Sequence, residues 1–264
     1  MEKEKLLPKI GRYPFTAEPF HCDFSNQLFL GHLGNAMLNA ADFHSNDRSY
    51  GMNYLNTINK TWVLSRLAIE VNDMPRAYDK LFIETWVDGA MRYFTSRNFK
   101  VVGEDGNVFG YGRSIWAMID TVSRQPVDIL AIHDGLIAEY IDKDYPCPIR
   151  KASRVPIIPE DTTFARSIDT YYNDVDVNGH INSVKYIEHV LDLWPLEWYK
   201  EFRLKRFEIA YVAESHQGDK LNLRTQETEG NEKERNFNIL ITKEGKENEK
   251  EVEVVRCNVN FVKD

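Results

Sequence analysis

Three kinds of feature are scarce in this 264-residue sequence, and each scarcity excludes a class of protein. The three cysteines, Cys22, Cys147 and Cys257, lie far apart, show no CxxC spacing and leave one thiol over even if two pair, which favours reduced thiols over a disulfide framework. No stretch approaches the roughly 18 consecutive apolar residues that a membrane-spanning helix needs. Positive charge is also scarce, since the formal net charge is -8. This charge argues against a general nucleic-acid binder, but it does not exclude local basic patches.

The first residues, MEKEKLLPKI, are charged and contain no long apolar run, which is unlike a secretory signal or a transit peptide. Together with the reduced thiols, this start predicts a soluble protein of a bacterial cytoplasm. The hydrophobic content of 42% and the aromatic content of 12% are ample for sizeable cores. One large domain and two medium ones are both compatible with this length.

An internal repeat decides between these two possibilities. Three short matches follow one another in the same order at nearly constant displacement of about 140 residues, as expected for two copies of one ancestral unit. The pairs are GHLGN at 31–35 with GHINS at 179–183, DKLFI at 79–83 with DKLNL at 219–223, and RNF at 97–99 with RNF at 235–237.

A proline-rich segment separates the two copies. The stretch DKDYPCPIRKASRVPIIPED carries four prolines, which remove backbone donors and break both helices and central strands. We therefore predict an N-terminal domain at 1–145, a linker at 146–159 and a C-terminal domain at 160–264.

Each half shows one apolar helix pattern followed by four strand-like segments. In the second half, apolar residues recur at three- or four-residue steps and define one helix face, and Pro195 ends the pattern. The residues of this face are Ile181, Val184, Ile187, Leu191 and Trp194. A single helix followed by an antiparallel meander buries its apolar face only if the sheet wraps around it. We therefore predict an α+β fold of two tandem hotdog domains. The predicted helices lie near 26–43 and 181–193, and the predicted strands at 62–72, 79–89, 93–103, 108–121, 205–214, 219–229, 234–244 and 251–264.

Two turn predictions accompany this pattern. GEDGN at 103–107 is typical of a hairpin turn. The run KEGKENEKE at 243–251 indicates an exposed hairpin turn without a function of its own.

The stretch NDVDVNGHINS at 173–183 first suggests a calcium loop. Such a loop needs a bidentate carboxylate at its twelfth position. Counted from Asp174, that position is Lys185, whose cation would repel the metal. We therefore predict no metal site, and no other cofactor.

The same stretch places three groups that suit acyl transfer just before a helix. Asn178 offers an amide donor to a carbonyl oxygen, His180 exchanges a proton near neutral pH, and Asp176 can orient a partner through a charge-assisted hydrogen bond. In an extended or turning backbone all three can face one side, near helix N-terminal amides that favour developing negative charge. Alternatively, Asp176 and Asn178 only cap the helix, the commonest role of such residues.

Three longer segments resemble the acyl-acyl carrier protein (acyl-ACP) thioesterases of plant plastids and some bacteria, and together they cover most of the chain. WVLSRLAIEVNDMPRAYDKLFIETWV at 62–87 is similar to that family's first-domain signature, and RSIWAMIDTVSRQP at 113–126 to its closing strand and exit loop. DVDVNGHINSVKYIEHVLD at 174–192 resembles its catalytic segment, D-x-N-x-H-x-N. The resemblance implies hydrolysis of fatty acyl-ACP to free fatty acid and holo-ACP, with the carrier protein as partner.

The resemblance also implies a fourth catalytic residue. IAYVAESHQGD at 209–219 matches the family segment that ends in Glu followed by Cys, but here Ser215 replaces the Cys. One scheme for the family uses that Cys as nucleophile, and the other uses a carboxylate and His to activate water. A Ser hydroxyl is a far poorer nucleophile than a thiolate, so we favour water attack with Ser215 at most accessory. The predicted catalytic set is Asp176, Asn178, His180 and Glu214.

The first half lacks this set. His32 occupies the repeat position of His180, but Phe29 and Leu30 stand where polar partners are needed, so one site per chain is expected. The resemblance places the acyl pocket mainly in the first domain. The predicted lining residues, for which ordinary core packing is an equal alternative, are Met37, Trp86, Met91 and Phe94.

An acidic carrier protein requires a local basic face on this acidic chain. Within WYKEFRLKRF at 198–207, that face is predicted at Lys200, Arg203, Lys205 and Arg206, unless these cations only balance Glu197 and Glu201. A coenzyme A thioesterase and a double-hotdog hydratase on the same fold are rival enzymes, and a non-catalytic acyl-binding module is the rival from another class. A monomer and a homodimer are both admissible.

Overall fold

The computed structural model describes residues 6–245 and 251–263, so the predicted turn at 243–251 lies largely outside the described residues. The chain divides into two compact units. Unit 1 comprises Met1–Leu64 and Asn72–Arg150, and unit 2 comprises Ser65–Val71 and Lys151–Asp264. The break after Arg150 falls within the proline-rich stretch between the repeats. Residues Ser65–Val71 belong to unit 2, whereas the predicted boundaries place them in the N-terminal domain.

Unit 1 contains one long helix and an antiparallel sheet with the strand order β1-β3-β4-β5-β2. Its elements are β1 (Gly11–Thr16), α1 (Leu30–Asp47), α2 (Met52–Leu55), β2 (Lys60–Val71, of which 60–64 belong to this unit), β3 (Lys80–Ala90), β4 (Phe94–Gly103) and β5 (Val108–Asp120). The four predicted strands are present to within two residues.

Helix α1 begins four residues later than predicted because Leu28 is still held in a loop. Its N–H donates to the carbonyl of Pro75 (2.8 Å). The helix then packs against β1 and β3 and buries Leu33 and Met37 completely. Gly112 on β5 allows this close approach, since a Cβ there would lie 3.1 Å from the Met37 sulfur.

Unit 2 repeats the arrangement, with its sheet in the order β2-β7-β10-β9-β8-β6. Its elements, besides residues 65–71 of β2, are β6 (Thr163–Asp169), α3 (Ser183–Leu191), α4 (Leu196–Glu201), β7 (Phe202–Tyr211), β8 (Lys220–Glu227), β9 (Glu234–Lys243) and β10 (Val252–Lys263).

The core of unit 2 is formed by the apolar residues that alternate along its strands and point to one face of the sheet. Ile209 of β7, Cys257 of β10 and Ile239 of β9 are register partners, and all three are fully buried. Helix α3 contributes the fully buried Ile187. The Tyr211 hydroxyl donates to the carbonyl of Ser183 (2.9 Å), so the end of β7 is tied to the start of α3.

Two strands were not predicted, and both lie at a sheet edge. Strand β6 is exposed along almost its whole length, so its sequence has no apolar alternation to detect. Strand β1 contains Pro14, which cannot donate to a ladder and is tolerated only at edges.

Three features are absent within the ranges 6–245 and 251–263. No helix there is long and apolar enough to cross a membrane. None of the three cysteines is paired in a disulfide. No group of three or more His, Cys, Asp or Glu side chains is placed to hold a metal ion.

Candidate active site

The predicted catalytic stretch of unit 2 forms a tight turn just before α3. The Asp176 N–H donates to the His180 carbonyl (2.8 Å), and the Gly179 N–H donates to the Asp176 carbonyl (3.0 Å). Gly179 has a φ of +80°, a left-handed conformation that glycine adopts without steric cost. Both an extended and a turning backbone were compatible with the sequence of this segment, and the structure shows a turn.

Asp176 braces this turn from inside. One of its carboxylate oxygens accepts the backbone N–H groups of Asn178 (2.8 Å) and His180 (3.3 Å). The other lies 3.4 Å from the Asn178 side-chain nitrogen. Because the charge of a carboxylate strengthens such hydrogen bonds, Asp176 fixes the backbone at Asn178 and His180. The Asn178 side chain is exposed to solvent.

The alternative role of Asp176 and Asn178 as helix caps is wrong. Helix α3 is capped by Asn182, whose side-chain oxygen accepts the N–H of Val184 (3.0 Å). Asn182 was not predicted as the cap, although an Asn immediately before an apolar helix is a recognised capping signal. Asp176 and Asn178 are therefore available for another role.

His180 and Glu214 face each other. The Nε2 atom of His180 lies 3.3 Å from Oε2 of Glu214, and both side chains are partly exposed. Glu214 follows β7 by three residues, in the loop that leads to β8. The Lys243 ammonium donates to the backbone carbonyl of Glu214 (2.8 Å). The structure thus brings an imidazole and a carboxylate together from segments that are remote in sequence.

Ser215 lies beside this pair but faces the interior. It is fully buried. The Tyr186 phenol lies beside its hydroxyl and interacts with it, but the hydroxyl makes no well-aligned hydrogen bond within the described part of the chain. Burial raises the pKa of Tyr186 to about 12, so this phenol stays protonated at neutral pH. Within the described residues, no base is therefore aligned to accept the proton of the Ser215 hydroxyl.

The loop after Glu214 is held by a second carboxylate. The backbone N–H of His216 (3.0 Å) and the Lys243 ammonium (2.8 Å) both donate to Asp219. Burial raises the pKa of Asp219, but these hydrogen bonds outweigh it and leave the pKa below its usual value. His216, Asp219 and Lys243 were not among the residues predicted from the sequence.

Asp174 anchors the base of the turn at 176–180. Its backbone carbonyl accepts the N–H of Asn182 (2.7 Å), and its carboxylate accepts the N–H of Tyr171 (2.7 Å) and lies 3.6 Å from Nε2 of His189. Burial lowers the pKa of His189 although Asp174 opposes the shift, which favours a neutral imidazole there. The role of Asp174 is therefore to close the turn.

The four predicted pocket residues of unit 1 fall into two environments. Met37 and Trp86 are fully buried. Met91 is 66% exposed and Phe94 is 38% exposed, at the β3–β4 hairpin where the Met91 N–H donates to the Phe94 carbonyl (2.7 Å). A hairpin tip faces water, so Met91 and Phe94 do not line an interior pocket, and only Met37 and Trp86 remain candidates.

Arg206 does not belong to a basic docking face. It is 3% exposed, and its guanidinium contacts Glu70 (3.0 Å) and Glu208 within unit 2. A buried guanidinium needs such partners, because an unpaired buried charge is strongly destabilising. The prediction for Arg206 was therefore wrong.

The other predicted docking cations lie nearer to solvent. Lys200 is exposed, with its ammonium 3.8 Å from Glu197, and Arg203 is exposed. Lys205 is half-buried and donates to the carbonyl of Val71 (3.3 Å). Lys200 and Arg203 are thus the accessible members of the predicted set.

Comparison with known proteins identifies the family. The sequence profile of the acyl-ACP thioesterase N-terminal domain matches residues 13–140, and the profile of the C-terminal domain matches residues 159–255. The chain is also similar to the crystal structure of an acyl-ACP thioesterase from Bacteroides thetaiotaomicron, with a TM-score of 0.84 and 47% identity, over 96% of this chain and 98% of that one. This match confirms the predicted hotdog fold.

Curated plant proteins are more distant. The palmitoyl-acyl carrier protein thioesterase of Arabidopsis thaliana is 26% identical over 188 residues, which is 70% of this chain and 44% of that protein. The protein of the same name from Gossypium hirsutum is 24% identical over 159 residues, 59% of this chain and 38% of that protein. The chain spans less than half the length of these relatives. Since both domain profiles match and together cover most of its residues, the chain belongs to the acyl-ACP thioesterase family.

Proposed function

We propose that this chain hydrolyses fatty acyl-ACP thioesters and releases free fatty acid and holo-ACP. The observation that carries the proposal is the 3.3 Å contact between Nε2 of His180 and Oε2 of Glu214, beside the turn that presents Asn178. Family membership supports the substrate class, because the similar proteins named above are acyl-ACP thioesterases. Lys200 and Arg203 are the proposed contacts for the acidic carrier protein.

In the proposed reaction, Glu214 acts as general base on a water molecule and His180 helps to position that water. The water oxygen attacks the thioester carbonyl carbon, and its proton passes to the Glu214 carboxylate. The carbonyl oxygen becomes an oxyanion, which the Asn178 amide stabilises by a hydrogen bond. When the carbon–sulfur bond breaks, the sulfur leaves with the electron pair and receives the proton, so that acid and thiol are formed.

In this proposal the α3 amides are not the main oxyanion donors. The N–H groups of Val184 and Lys185 already donate to the side chain and the carbonyl of Asn182 (3.0 and 2.9 Å). Asn178 is therefore the principal proposed oxyanion donor. Asp176 supports it indirectly, by fixing the turn.

Replacing Ser215 by Ala should leave turnover within about threefold of wild type, because the hydroxyl is buried and has no base to activate it. Stability should change little, since the change removes a buried hydroxyl whose contact with the Tyr186 phenol is not a well-aligned hydrogen bond. Steady-state kinetics and a thermal midpoint check both expectations. A kcat reduced by about 10²-fold or more, a loss typical of an essential group, would instead indicate that Ser215 takes part in the chemistry.

The proposed function is tested by thiol release from acyl-ACP substrates of eight to eighteen carbons, beside the matched coenzyme A esters. We expect higher kcat/KM for the carrier-linked series at every chain length that is turned over. Higher kcat/KM for coenzyme A esters would point to a coenzyme A thioesterase. Stoichiometric acyl binding without thiol release would point to a non-catalytic acyl-binding module.

A further inference from the structure

The His180 ring has few restraints on its orientation. Within the described ranges, its side chain contacts Glu214 through Nε2 and the ring of His216, and no hydrogen bond to its Nδ1 is present. In hydrolytic sites the imidazole is ordinarily oriented by a third group in addition to its reaction partner. His216, whose ring contacts His180, is therefore the candidate for this third, orienting group.

The geometry of the two imidazoles suits this role. Their ring centroids lie 5.0 Å apart, and the ring planes meet at 78°. An edge-to-face pair at this separation is favourable and directional. Because the ring of His216 meets His180 at a steep angle, it restricts rotation of the His180 side chain.

The backbone of His216 is held on both sides. Its backbone N–H donates to the Asp219 carboxylate (3.0 Å), and its carbonyl accepts the Thr170 hydroxyl (3.0 Å). Lys243 donates both to Asp219 and to the backbone carbonyl of Glu214 (2.8 Å each). One lysine thus secures the loop that carries the two contacts of His180.

We propose that His216 is a positioning residue, whose ring holds the imidazole of His180 so that Nε2 faces Glu214. This inference rests on the proposed function. His216 acts through His180 and contacts no reacting atom. Its ring, not its ring nitrogens, is the feature that matters.

The test compares His216→Ala, which removes the ring, with His216→Phe, which keeps an aromatic edge and removes the nitrogens. Loss of one directional aromatic contact should lower kcat by about threefold to tenfold in His216→Ala, with KM unchanged, and His216→Phe should stay within about twofold. His133→Ala is the matched control, because it removes another exposed histidine stacked on an aromatic ring, that of Tyr54 in unit 1. Its kcat should equal that of wild type.

Wild-type kcat in His216→Ala would overturn the inference. An equal loss in His216→Phe and His216→Ala would also overturn it, because the nitrogens would then be the active feature. A crystal structure of His216→Ala gives a readout that does not depend on turnover. We expect the His180 ring to leave Glu214 or to take more than one orientation, and an unchanged 3.3 Å contact would contradict the proposal. If wild type releases no thiol, the proposed function fails, while this structural readout still decides the role of His216.

Discussion

Glu214→Gln is expected to lower kcat for acyl-ACP hydrolysis by about 10²–10⁴-fold, the contribution of a well-placed general base. Glutamine keeps the size of the side chain but cannot accept the proton of water. The free energy of unfolding should change little, because Glu214 is partly exposed. Thiol release under saturating substrate measures kcat. Denaturant unfolding of the same preparation, followed by circular dichroism, measures the free energy of unfolding.

The matched control is Glu227→Gln, which changes a carboxylate at the end of β8 that pairs with Arg235. Its turnover should equal that of wild type. His180→Ala should show a loss comparable to that of Glu214→Gln. Near-normal kcat in folded Glu214→Gln would show that Glu214 is not the general base. Ser215 would then be the next candidate for the catalytic group.

Asn178→Ala should lower kcat by about 10²–10³-fold, the usual cost of losing one oxyanion donor. The loss should appear in kcat and in kcat/KM equally, because the hydrogen bond strengthens as charge develops on the carbonyl oxygen. The Asp176 contacts to the backbone N–H groups of Asn178 and His180 do not depend on the Asn178 side chain. The turn itself should therefore persist.

Asn173→Ala serves as control, because Asn173 is an exposed asparagine five positions earlier, in the short 3-10 helix Tyr172–Asp174 that precedes the turn. Steady-state kinetics of both variants on one acyl-ACP substrate gives the comparison. A raised KM with unchanged kcat in Asn178→Ala would show that the amide binds substrate and transition state alike. In that case it would not be an oxyanion donor.

The sequence predicted those parts of the fold that carry a regular pattern. Helix α3 and strands β7 to β10 show apolar periodicity because each buries one face, and they lie where that periodicity placed them, to within three residues. The turn GEDGN is also present, with a φ of +87° at Gly106 and a bond from the Gly103 N–H to the Asn107 carbonyl (2.8 Å). Edge strands β1 and β6 bury little and leave no such pattern.

The site was predictable only in part. The spacing of Asp176, Asn178 and His180 is local and can be recognised in the sequence, whereas Glu214 was reached through family resemblance. The contacts of Lys243 with Glu214 and Asp219 bridge 29 and 24 positions, and no local pattern encodes them. For the same reason the burial of Arg206 against Glu70, 136 positions away, could not be inferred.

A double-mutant cycle of Glu214→Gln and His180→Ala, measured as kcat/KM on one acyl-ACP substrate, tests whether the two residues activate the same water together. Groups that act as one unit on a single water show strongly non-additive losses. We expect the double variant to be about as slow as the slower single variant, within about threefold. If the two losses multiply, Glu214 and His180 act independently, and the proposed activation of water by the pair is contradicted.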